Sequence, residues 1–99
     1  MNLETNLSWL QKWFQSQCDG DWEHEFGVTI KTVDNPGWYL TINLIGTELE
    51  GMFFQNVQKN KDDIDWYFCL VRDNTFEGSC GPCNLDSILQ IFRTWVETE

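Results

Sequence analysis

The sequence predicts an α+β fold: a four-stranded antiparallel meander sheet with an N-terminal and a C-terminal helix packed on it, in the order α-β-β-β-β-α. Three observations carry this expectation. Apolar residues recur every three or four positions near both ends of the chain, and between residues 26 and 72 the period drops to two. The length of 99 residues allows one domain, 1–99. A hydrophobic content of 41%, with six Trp and seven Phe, supplies a core and argues against disorder.

The first helix runs over about residues 3–17. Leu3, Leu7, Leu10 and Phe14 mark its inward stripe, Trp9 and Trp13 broaden it, and Asn2 or Thr5 is placed to cap its start. It stops before Asp19-Gly20, where glycine permits left-handed backbone. Phe26, Val28 and Ile30 alternate with Gly27, Thr29 and Lys31 as a half-buried first strand. Asp34-Asn35-Pro36-Gly37 is dense turn chemistry, and Trp38, Leu40, Ile42 and Leu44 then form the inward positions of a second strand. A turn at Gly46-Thr47 leads into a third strand over about Leu49 to Gln55. The polar stretch from Asn56 to Asp63 reads as a loop. Ile64 to Arg72 is the fourth strand, apolar on both sides and therefore central or helix-covered. The last helix carries Leu85, Ile88, Leu89, Phe92, Trp95 and Val96 on one face, with Asn84 as its expected cap and Asp86 in its first turn.

Charge excludes several functions. Sixteen Asp and Glu against six Lys and Arg give a net charge of −10 and a pI near 4.2. A nucleic-acid binder needs a basic footprint, and an anionic membrane repels such a chain. It permits a basic protein partner, or simply solubility. The start of the chain has no basic, apolar leader pattern, and the longest apolar run is the six residues Trp66 to Val71. A cytoplasmic protein with reduced cysteines is the expectation.

Cys80-Gly81-Pro82-Cys83 ahead of a helix resembles a thiol–disulfide active site, because a helix N-terminus favours a thiolate. The context is wrong for a thioredoxin-like fold: only 16 residues follow Cys83, and Ser79 and Asn84 flank the motif. Zinc is the related alternative, with Cys18, Cys69, Cys80, Cys83 and His24 as potential ligands. Only one close cysteine pair exists, where a structural finger shows two. Asp19, Asp21 and Glu23 imitate a calcium loop, but His24 and Ile30 stand where that loop needs Gly and Glu. Nothing in the sequence calls for a cofactor.

Between Cys18 and Gly27, the acids Asp19, Asp21, Glu23 and Glu25 surround the single histidine, His24. A carboxylate beside an imidazole suits general acid–base catalysis, but no nucleophile, phosphate-binding loop or second histidine completes an enzyme. An acidic and aromatic surface for a protein partner fits better. For Trp22, core packing is as good a reading as interface exposure.

The strings Cys18-Asp19-Gly20-Asp21-Trp22-Glu23-His24 and Asp34-Asn35-Pro36-Gly37-Trp38 resemble the immunity protein 53 family of bacterial polymorphic toxin systems. The resemblance covers almost the whole chain: the Trp-rich opening helix, Asp65-Trp66 with Cys69, then Phe76, Gly78 and Asn84-Leu85. It does not extend to the cysteines of the Cys-x-x-Cys motif. It implies an α+β protein, monomer or homodimer, that occludes a toxin encoded beside it. From charge, a basic nuclease domain is the expected toxin. Asp19, Asp21, Trp22, Glu23 and His24, with Asp34, Asn35 and Trp38, are the expected partner-binding residues. The competing reading packs Trp22 and Trp38 under the sheet and holds His24 inside.

Overall fold

Residues 4–99 are described by the structure, a computed structural model. Asn2 and Leu3, named above for the first helix, lie outside the described residues. The elements are α1 (Asn6–Gln17), α2 (Trp22–Glu25), β1 (Val28–Val33), β2 (Gly37–Asn43), β3 (Val57–Asn60), β4 (Trp66–Arg72), β5 (Thr75–Cys80) and α3 (Leu85–Thr98). The α+β class holds, with an N-terminal and a C-terminal helix on an antiparallel sheet. The described sheet has five strands rather than four, in the order β1-β2-β5-β4-β3. It departs from a simple meander because β5 inserts between β2 and β4.

Register explains which face the helices cover. Ile30, Leu40, Gly78, Cys69 and Val57 stand abreast across all five strands, and Leu40 and Cys69 are fully buried. The next row, Lys31, Tyr39, Ser79, Phe68 and Gln58, points the other way, as the period of two requires. On the inward face, Phe92 of α3 meets Trp9 and Trp13 of α1 at ring separations of 6.0 and 5.0 Å and Phe76 of β5 at 5.1 Å. These are edge-to-face contacts, the arrangement that aromatic quadrupoles favour.

Three expectations change. Leu49 to Gln55 is not a strand. Gly46 and Gly51 take positive φ (80° and 75°), and Thr47, Glu50 and Met52 donate their amides to local turn carbonyls, so this backbone is satisfied within itself. Strand pairing appears instead at Val57–Asn60, inside the predicted polar loop. As an edge strand it needs few apolar side chains. The Thr75–Cys80 strand was not expected at all. It is central, but α3 crosses it so closely that a Cβ on Gly78 would stand 3.1 Å from Ile88 Cδ1, which keeps that inward position small between Phe76 and Cys80.

The caps also differ. Thr5 caps α1, its hydroxyl accepting from Ser8 N at 3.1 Å. The inward stripe of α1 is rotated, with Asn6, Leu10 and Trp13 buried and Leu7 half exposed. Asn6 is tolerated there because it donates to Asp86 Oδ1 and accepts from Arg93 Nη1, tying α1 to α3. Asn84 precedes α3 without capping it. Its amide group instead donates to Asp65 Oδ1 at 2.9 Å while its oxygen accepts from Trp66 N.

Among the described residues, no helix is long and apolar enough to cross a membrane. Phe92→Ala removes the ring shared by both helices and β5. It is expected to cost about 3–5 kcal/mol, read as a lowered midpoint in urea unfolding.

Candidate functional site

The predicted partner-binding residues fall at two ends of the sheet. Asp19 to Glu25 precede β1, whereas Asp34 and Asn35 follow it, so the length of the strand separates them. Six residues at about 3.3 Å each make this roughly 20 Å. They do not form one patch.

At the Trp22 end, α2 is held by its own acids. Asp19 Oδ1 accepts from Asp21 N and Trp22 N, both at 2.9 Å, and Glu23 reaches back to accept from Asp19 N and Gly20 N. Each carboxylate ties down amides that a helix start leaves orphaned. The amides of Trp22 and Asp21 hold the Asp19 carboxyl below its ordinary value. For Glu23 the largest cause is its own backbone amide, followed among the lowering causes by those of Asp19 and Gly20.

Trp22 is a core residue at 5% exposure. Its ring stands 6.3 Å from that of Trp13, and its indole N–H donates to Ile45 O at 2.8 Å. That bond brings the 44–51 turn segment alongside, adding Glu48 and Glu50 to Asp19, Asp21, Glu23 and Glu25. None of the Lys or Arg ion pairs involves any of these six acids. Asp21, Glu25 and His24 are exposed, and among the described residues their side chains make no hydrogen bond. Outward charge at this end is therefore acidic and uncompensated. His24 is not held inside.

At the Pro36 end, Trp38 is half-buried and donates to Pro82 O at 3.0 Å. It locks the β2 start onto the Cys80–Cys83 segment. A Cβ on Gly37 would stand 2.2 Å from Cys80 O, and one on Gly81 would stand 1.8 Å from Ile64 O. Only glycine fits where three backbones cross this tightly. The Cys-Gly-Pro-Cys run is thus a strand-to-helix junction. Burial pushes the Cys80 thiol up, away from the depressed pKa that a redox nucleophile needs, and outside the run it pushes Cys69 up to about 12. All four cysteines are free, and no group of three or more His, Cys, Asp or Glu among the described residues is arranged to hold a metal ion.

The same end holds residues that sequence reasoning did not single out for partner binding. Asn35 lines a recess of about 410 Å³ with Asn60, Asp62, Asp63 and Trp66. The signal was the run Asp62-Asp63-Ile64-Asp65-Trp66, as acidic and aromatic as the α2 segment but read as a loop running into a strand.

The profile of the immunity protein 53 family matches residues 7–97. The chain belongs to that family. No match was found among curated proteins or solved structures. The match takes in both helices, the whole sheet and both ends just described, so the immunity protein 53 family is defined over this fold rather than over one loop of it.

Because Asp19 and Glu23 have folded-state values below their unfolded ones, the unfolded chain binds more protons in acid. Their contribution is present above the unfolded values of 3.8 and 4.5 and is lost as pH falls through the lower folded values. In a pH series of thermal melts, Glu23→Gln is expected to flatten the acid limb below about pH 4.5. An unchanged limb would show that these amide contacts do not persist in solution.

Proposed function

We propose that this immunity protein neutralises a cognate bacterial toxin by binding it, in the cytoplasm, without turnover. The toxin surface it meets is basic, as the substrate groove of a nuclease is. One observation carries the reading: among the described residues, six acids at the Trp22 end form no ion pair with Lys or Arg, in a protein whose total charge is −10. Unpaired like charge of this density opposes folding slightly, keeps the protein soluble and attracts an opposite surface. Asp21, Glu25 and His24 supply the outward part of the field, while Asp19 and Glu23 shape the turn that presents it. Such a field accelerates encounter before any contact forms, which suits an inhibitor that must reach a toxin first.

Co-expression with the toxin encoded by the adjacent reading frame tests this directly. The expected result is rescue of growth and a complex that survives size-exclusion chromatography. No rescue and no complex would sink the reading. The double variant Asp21→Lys/Glu25→Lys is expected to slow association about tenfold at low salt, the two proteins converging as salt rises. Stopped-flow mixing over a salt series provides the measurement.

A further inference from the structure

Among the described residues, no helix covers the sheet's second face. Tyr39 and Phe68 lie on it in one row with Ser79 between them, and Trp66 and Leu70 flank Phe68 along β4. At the Pro36 end, Trp66 closes this face against the recess it shares with Asn35, Asn60, Asp62 and Asp63. The recess is open, polar and about 410 Å³, within the size range of binding sites but too hydrophilic for an apolar ligand.

The fold uses its polar groups only in part. Asp62 spends Oδ1 on Ile64 N and Asp65 N, and its Oδ2 makes no hydrogen bond among the described residues. Asp63 and Asn35 make no side-chain hydrogen bond there, and neither Asp62 nor Asp63 forms an ion pair. Asp65 differs: it is taken by Lys59 at 3.0 Å and by Asn84. Lys61 flanks the recess without forming an ion pair, so Asp34, Asp62, Asp63 and Asp65 outnumber Lys59 and Lys61 by two. The indole N–H groups of Trp66 and Trp9 donate no hydrogen bond among the described residues, whereas those of Trp13, Trp22, Trp38 and Trp95 each donate one.

An indole wall, two carboxylates and two amide side chains around one opening match a flat, delocalised cation. A guanidinium stacks on the ring and directs its N–H fork at the carboxylates and amide oxygens. An ammonium satisfies the carboxylates but has no plane to stack. We infer that this recess is the anchor pocket for an arginine side chain of the basic partner. The inference rests on the toxin-binding reading above and adds to it a division of labour. The Trp22 end steers, and the Trp66 recess holds.

Two measurements test it. With the six Trp indoles labelled in ¹⁵N, N-acetyl-arginine amide at millimolar concentration is expected to shift one indole signal, the one that Trp66→Leu removes. The neutral isostere N-acetyl-citrulline amide is expected to leave it in place. Equal shifts, or none, would overturn the pocket whatever the toxin does. Against the toxin, Asp63→Arg is expected to raise Kd about tenfold or more and Trp66→Leu to raise the off-rate. Asp63 is exposed and bonds to nothing within the fold, so its replacement leaves folding intact. If the wild type neutralises the toxin and Asp63→Arg binds equally well, the pocket is refuted while the immunity reading stands. If the wild type does not bind the toxin, the immunity reading falls and the arginine titration alone decides the recess.

Discussion

Phe92 is the ring on which the two layers close. It is fully buried and touches Trp9, Trp13, Phe76 and Trp95, so α1, α3 and the central strand share one side chain. A five-stranded sheet covered on one face has little depth in which to hide apolar surface. Aromatics solve this by filling the single layer with few residues, at the cost of indole N–H groups that must be satisfied. The fold meets that demand with backbone carbonyls of loops, Ile45 for Trp22, Pro82 for Trp38 and Phe53 for Trp95. Each such bond pins a connecting segment to the core. The loops at the ends of the sheet are positioned by the same residues that make the core.

This coupling explains why Trp22 is interior and Trp38 half-buried. Both sit in the most recognisable strings of the sequence, and each is anchored by its indole N–H. What they leave outside is polar: Asp21, His24 and Glu25 beside one, Asp34 and Asn35 near the other.

Both long helices, the first hairpin and the fourth strand were legible in the sequence, because each buries one face and periodicity records burial. The two misread strands are those for which burial and periodicity part company. Thr75–Cys80 lies beneath α3 at a distance that admits only Gly78 under Ile88, so a central strand reads as a loop. Val57–Asn60 lies at an edge and needs little apolar surface. In the other direction, Leu49 and Phe53 look like strand positions, but glycines at positive φ turn the chain between them. The expected partner-binding group mixed residues from both ends because spacing along the chain carries no information about which end of a strand a turn occupies. The Asp73-Asn74 pair, both at positive φ, was a hairpin signal available to a closer reading.

The position of β5 has a consequence for how the protein comes into being. The first hairpin and the β3–β4 pair meet only through Thr75–Cys80, which hydrogen-bonds to both. The middle of the sheet is thus built from residues near the end of the described chain, and α3, which covers it, follows directly. During synthesis nearly three quarters of the chain must wait, as two unjoined parts, for the strand that unites them.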